Sequence, residues 1–184
     1  MTLLGCRGTG ERITCVANGR GGSMGFSLHF MRVTKDVQLD VDRAAVAAFL
    51  DQHGLRVVES PYGGEIVDRD DRALTIDGAF SDLHLDSLEQ SDPLSGGIFH
   101  ATLSPAECAF VYDLCSAAGF LIVNPQGDPT FLVPQRNHEP DDVSELEDVV
   151  WVESAEELAR ALTGGFQAFR EFRDRVTGRA AGAE

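Results

Sequence analysis

The sequence has little positive charge and almost no lysine. Its 184 residues contain 15 lysine and arginine side chains, with Lys35 the only lysine, against 30 aspartates and glutamates. The resulting net charge of −15 makes nucleic acid and anionic membranes poor partners, because both repel an acidic surface. A basic protein is the partner class that this charge favours, although acidity also serves solubility alone.

Long apolar runs are also missing. Apolar runs such as Phe120 to Val123 are only as long as a short strand, whereas a membrane span needs about 18 to 20 apolar residues. The first residues lack the apolar stretch that a secretory signal requires. We therefore predict a cytoplasmic protein that does not cross a membrane.

Cysteines are few and show no spacing typical of a disulfide framework or a zinc site. Cys108 and Cys115 lie two turns apart on one face of a predicted helix, roughly 10 Å along its axis, which is too far for a disulfide between them. We expect free thiols in a reducing compartment. No phosphate-binding loop or nucleophile motif is present either, so no cofactor is predicted.

Composition divides the chain into three parts. Residues 1–23 are glycine-rich and carry a net charge of +2, so residues 24–184 carry −17. We interpret residues 1–23 as a flexible or mis-annotated leader, residues 24–177 as one domain, and residues 178–184 as a disordered tail. The alternation of apolar residues predicts an α+β fold with a mainly antiparallel sheet of about six to eight short strands and about three to four helices packed on it.

Capping signals locate the helices. Asp42 is placed to cap a helix that ends near Gly54, and Ser104 with Glu107 forms a capping box around a proline at the first helical position. A second capping box begins at Ser154, and the pair of glycines at 164–165 is expected to break that helix. The last helix should then carry a stripe of phenylalanines.

Asp82, His84 and Asp86 are the candidate metal ligands. They alternate with Leu83 and Leu85, so they should share one face of a strand while both leucines point to the other face. Two carboxylates and an imidazole can bind a divalent cation or hold a histidine as a general base. The alternative is the solvated face of an amphipathic strand. Strand order, which the sequence does not give, decides whether His84 meets His100 and His138.

A second candidate site follows a predicted strand that ends at Pro134. Loops at strand ends often carry binding groups, and this loop is dense in polar and acidic side chains. It contains no nucleophile, so binding is favoured over catalysis, and an ordinary polar connection is the alternative. The candidate binding residues are Arg136, Asn137, His138, Glu139, Asp141 and Asp142.

These features favour a protein-binding module that masks or inhibits a basic partner. In being small, acidic and single-domain, the chain resembles immunity proteins that accompany secreted bacterial nucleases, without a shared motif. Complementary charge would speed association and make it weaken as salt rises. Two alternatives remain: a small metal-assisted hydrolase that uses Asp82, His84 and Asp86, and a globular domain without catalytic activity. The oligomeric state stays open.

Overall fold

The computed structural model describes residues 25–35, 37–60 and 63–176. The predicted leader, residues 1–23, and the predicted tail, residues 178–184, lie outside these ranges, so the domain boundaries stay predictions. The described strands are β1 (Leu28–Thr34), β2 (Val37–Leu39), β3 (Leu55–Ser60), β4 (Gly63–Asp68), β5 (Thr75–Ile76), β6 (Ala79–Phe80), β7 (His84–Leu85), β8 (Gly96–Ile98), β9 (Leu121–Val123), β10 (Phe131–Pro134) and β11 (Val149–Val152). The described helices are α1 (Arg43–Gln52), α2 (Pro105–Ala118) and α3 (Ala155–Val176).

One large sheet organises the described chain. Its strand order is β11-β10-β9-β1-β8-β7-β4-β3, and β2 pairs with β1 beside this path. Only β10 and β11 pair in parallel, so the predicted α+β class with a mainly antiparallel sheet is confirmed. The strand number is corrected to nine, with β5 and β6 forming a separate hairpin. Strands of two or three residues, such as β2 and β7, are too short to show a period in the sequence.

The predicted caps form where the sequence places them. The Asp42 side chain accepts the N–H of Ala45, and the Ser104 hydroxyl accepts the N–H of Glu107 at 3.2 Å. Gly119 ends α2 in the left-handed conformation at φ 75°, which a residue with a side chain adopts only with strain. Local hydrogen bonding between near neighbours therefore sets these helix boundaries.

The third helix corrects the predicted break at residues 164–165. Helix α3 runs without interruption through both glycines, which gives three helices in the described ranges. Packing outweighs their poor helix propensity, because Phe166 and Phe169 contact Phe26 with ring centroids 5.2 and 5.8 Å apart. The loop at Gly127 packs against this turn of α3, since a Cβ on Gly165 would lie 3.7 Å from the Cα of Gly127, an ordinary van der Waals distance.

The sheet buries a core on each face. The larger cluster lies against the three helices and includes Leu28 and Phe30 of β1. The opposite face, called here the second face, carries a smaller cluster that includes Met31 and Val33 of the same strand. Val143, from the loop between β10 and β11, packs into this second cluster. None of the helices in the described chain is long and apolar enough to cross a membrane.

Candidate functional site

Two histidines meet over a glycine on the second face. His29 of β1 and His84 of β7 both lie in register with Gly97 of β8, the strand between them. A Cβ atom on Gly97 would lie 3.4 Å from Nδ1 of His29 and 3.3 Å from Cε1 of His84. The two imidazole rings therefore approach the same point from opposite sides, with no side chain between them.

The loop after β8 adds an aromatic ring and a third histidine. Phe99 stacks on the His84 ring with centroids 4.5 Å apart and an angle of 10° between the planes. The Nδ1 atom of His100 contacts the Asp82 carboxylate directly. Strand order thus brings His84 and His100 to the same region, on either side of Asp82.

The two aspartates of the predicted metal site accept hydrogen bonds from backbone N–H groups. Their carboxylates do not converge on one metal position. One carboxylate oxygen of Asp82 accepts the N–H groups of Phe99 and His100, both at 3.1 Å. Asp86 accepts the N–H and the hydroxyl of Ser95 at 3.0 and 2.6 Å. Across residues 25–35, 37–60 and 63–176, no group of three or more histidine, cysteine, aspartate or glutamate side chains is arranged to hold a metal ion.

Burial favours the neutral form of the paired imidazoles. It lowers the pKa of His29, and the neighbouring His84 lowers it further. Burial also lowers the pKa of His84, against the opposing effects of the Asp82 carbonyl and of the Asp86 and Asp82 carboxylates. A neutral imidazole has one nitrogen with a free electron pair, which is the form that binds metals.

His29 was not singled out by sequence reasoning. The sequence does show that His29 alternates with Leu28 and Phe30 in β1 and therefore points to the other face of the sheet, the second face. What the sequence lacks is the partner: Gly97 and His84 are distant in the chain and reach His29 only through the order of β1, β8 and β7. The leucines between the candidate ligands behave as predicted, since Leu83 and Leu85 are buried on the helix side.

The second candidate site forms a network at the start of the β10–β11 loop. His138 is buried, and its Nε2 accepts the backbone N–H of Val33 at 3.3 Å. Its Nδ1 lies 2.7 Å from the Asn137 side-chain oxygen and carries the proton in that contact. Asn137 in turn donates to the carbonyls of Cys115 and Phe120, at 3.0 and 2.7 Å. His138 is therefore an anchor of the fold and does not join His84 and His100.

The pKa of His138 is consistent with its burial. The pKa of His138 is lowered to about 4, first by burial and then by the nearby Arg32 guanidinium, while Asp142 opposes both effects. The neutral form is the one that accepts the Val33 N–H, because a protonated imidazole has no acceptor nitrogen. Arg136 behaves differently, since it is exposed and pairs with Glu153 at 2.7 Å.

Residues 139–148, named here the acidic loop, carry six carboxylates and no basic residue. Asp142 accepts the Thr34 hydroxyl at 2.9 Å and the N–H of Glu139 at 3.0 Å, and these bonds lower its pKa. Asp148 accepts the N–H of Thr130 at 2.7 Å. The remaining carboxylates are exposed and form no ion pair within the described residues: Glu139, Asp141, Glu145 and Glu147.

The two cysteines of α2 are free and buried, in agreement with the prediction of free thiols for this pair. Burial raises the pKa of Cys108 to about 11 and also raises the pKa of Cys115. The thiolate is the reactive form of cysteine, so neither side chain is suited to act as a nucleophile.

Comparisons with known proteins give no family for the chain. Protein-family models, curated proteins and solved structures were compared with it, and none matches significantly. A function for the chain therefore has to be derived from the geometry and charge of its own residues.

Proposed function

We propose that the chain is an acidic cytoplasmic protein-binding module that masks or inhibits a basic protein partner. The acidic loop is the surface that makes the contact. One observation supports this most: four exposed carboxylates, Glu139, Asp141, Glu145 and Glu147, stand on a loop that is fixed to the body of the protein. A fixed loop presents its charges in one arrangement before a partner arrives, which lowers the entropy cost of binding.

Contacts with the body of the protein fix the acidic loop at both ends and in the middle. His138 holds its beginning to Val33, and Thr130 holds Asp148 at its end. Between them Val143 is buried in the second cluster, and Leu146 packs against that cluster. The apolar residues of the loop thus face inward, which turns the exposed carboxylates toward solvent.

The four exposed carboxylates of the loop have no ion-pair partner inside the described chain. Like charges held close together repel one another, and their mutual repulsion disfavours the folded state. A cationic surface would relieve that repulsion and would be steered toward the loop during diffusion. Because exposed ion pairs contribute only about 0.2–1 kcal/mol each, we expect the loop to set the association rate and the selectivity, with neighbouring surface adding affinity.

The metal-assisted hydrolase remains a hypothesis with less support from the geometry. It requires Asp82, His84 and Asp86 to face one ion or substrate, whereas both carboxylates are engaged by backbone or serine donors. The globular domain without catalytic activity differs from the proposed module only in lacking a partner. A binding experiment therefore separates these two readings directly.

The test uses the full chain as bait in native lysate, with two variants that change the net charge equally. The loop variant neutralises the exposed loop carboxylates by Glu139→Gln, Asp141→Asn, Glu145→Gln and Glu147→Gln. The control variant neutralises four exposed carboxylates elsewhere by Asp51→Asn, Glu89→Gln, Asp113→Asn and Glu171→Gln. Bound proteins are eluted along a salt gradient and identified by mass spectrometry.

The expected result is one stoichiometric basic protein that the wild type and the control variant retain and the loop variant loses. It should elute at moderate salt, because screening weakens contacts between exposed charges. Equal weakening of retention in both variants would mean that net charge alone, and not the acidic loop, attracts the partner. A clean bait with no partner would remove the main support for a binding module.

A further inference from the structure

The space over Gly97 lies between the rings of two histidines. Gly97 is buried beneath the rings of His29 and His84, and any side chain there would occupy the space between them. Substitution is also blocked from below, since a Cβ atom would lie 2.6 Å from the Leu28 carbonyl oxygen. The glycine therefore leaves the space between Nδ1 of His29 and Cε1 of His84, the ring carbon bonded to both nitrogens of that imidazole, free of a side chain.

The hydrogen bond of Nδ1 determines which nitrogen of His84 has a free electron pair to bind a metal ion. Its Nδ1 lies 3.4 Å from the backbone carbonyl of Asp82, an acceptor, so the proton resides on Nδ1 and the electron pair on Nε2. Orientation of a metal-binding histidine by a carbonyl on its other nitrogen is a general feature of metal sites. On the opposite side of the gap, His29 presents its Nδ1.

The surrounding charge favours a cation at this point. Asp82 and Asp86 flank His84 in the chain, and Glu65 of β4 lies in register with it on the next strand. All three carboxylates attract a positive charge to the second face. The whole chain also carries a net charge of −15. Protonation of both imidazoles would compensate the negative charge poorly, because two positive charges would then lie next to each other over Gly97.

We propose that His29 and His84 together bind a divalent late transition-metal ion, of the class of Zn²⁺, over Gly97. Neutral imidazole selects these metals over Mg²⁺ and Ca²⁺, which prefer oxygen ligands. Two protein ligands leave coordination positions for water, because the described chain supplies no third one. The ion is therefore held reversibly, with positions open to a further ligand.

The test measures Zn²⁺ binding to the untagged full chain after treatment with EDTA and under reducing conditions at pH 7.5. Imidazole nitrogen signals, recorded by NMR during the titration, report on histidines and are blind to cysteine thiolates. The variants are His29→Gln and His84→Gln, and the matched control is His53→Gln, which removes a histidine near the end of α1. Isothermal titration calorimetry gives the affinity of each protein.

The nitrogen signals of His29 and His84 should shift together and saturate, while those of His53 stay in place. Each site variant should lower the Zn²⁺ affinity reported by these signals by at least about tenfold, as loss of metal-site groups generally does. The control variant should leave that affinity unchanged. Folding of each variant is checked by NMR, and His29→Gln suffices if His84→Gln disturbs the stack with Phe99. Zn²⁺ that leaves both signals unmoved, or binds both variants as tightly as wild type, would overturn the proposal.

Discussion

Nε2 of His138 accepts the backbone N–H of Val33 at 3.3 Å across 105 positions of chain. This bond joins the residue before the acidic loop to the central strand β1, in a region where the side chain of His138 is only 3% exposed. The neutral imidazole of His138 is consequently one of the contacts that attach the acidic loop to the sheet. The His138 side chain therefore contributes both to the stability of the acidic loop and to the position of its carboxylates.

Removal of the imidazole should loosen the acidic loop. We predict that His138→Ala lowers the free energy of unfolding by about 2 kcal/mol, because the Val33 N–H and the Asn137 side chain each lose a partner inside the protein. Urea denaturation measures this loss. The matched control, His53→Ala, should cost much less, since His53 is exposed. A similar loss in both variants would show that His138 is not a special anchor.

Acid should weaken the protein well above the pH at which carboxylates titrate. The pKa of His138 is about 4 in the folded protein, against 6.5 for an ordinary histidine, so the unfolded chain binds a proton first as pH falls. The contribution of His138 is complete above pH 6.5 and is lost between 6.5 and 4. Between pH 7 and pH 5 this amounts to a loss of about 2 kcal/mol.

The variant His138→Gln isolates that effect from other groups. His29 and His84 also have lowered pKa values and shift stability in the same direction, so the wild type loses more than His138 alone explains. We expect the variant to start less stable at pH 7 and to lose less between pH 7 and pH 5 than the wild type does. Parallel losses in urea titrations of both proteins would contradict the assignment.

Buried Glu107 should matter more than its counterpart in the other capping box. Its Oε2 accepts the N–H groups of Thr102 and Leu103 at 2.6 and 2.7 Å, while Glu157 accepts one backbone N–H within the described residues, that of Glu153 at 2.8 Å. We predict that Glu107→Ala costs about 2–3 kcal/mol of unfolding free energy and Glu157→Ala about 1 kcal/mol. Chemical denaturation compares the two; an equal cost would refute the ranking.

The uninterrupted course of α3 predicts opposite effects at two glycines. Gly164 lies in the helix with nothing within 4 Å of its Cβ position, so Gly164→Ala should raise the melting temperature by adding about 0.5–1 kcal/mol of helix propensity. Gly119 is left-handed, and its Cβ would lie 2.6 Å from Nη1 of Arg32, so Gly119→Ala should lower it. A helix broken at residue 164 would instead lose stability on the first substitution.

Sequence patterns predict structure well where the controlling contacts are local. Ser104 and Asp42 cap helices within three residues of themselves, and both caps are confirmed. The strand count and the continuous α3 depend on distant partners, such as Phe26 against Phe166, which periodicity does not reveal. For that reason the fold class is predictable while the number of strands and the glycine break are not.

The candidate sites show the same division. His84 is placed on the correct face by its alternation with Leu83 and Leu85, but its neighbour His29 follows only from strand order. His138 has the sequence context of an exposed polar loop, and its burial comes from packing of the acidic loop onto the second face. A polar residue in a polar segment gives no signal that distant chain will cover it.

The most direct measurement of the central claim is amide hydrogen exchange on the full chain, with and without the basic partner recovered by salt-gradient elution. The account predicts that the partner slows exchange in peptides that cover the acidic loop, residues 139–148, and in the adjoining ends of β10 and β11. The loop variant should lose that protection, and the control variant should keep it. Protection elsewhere on the protein, with the acidic loop unchanged, would contradict the account.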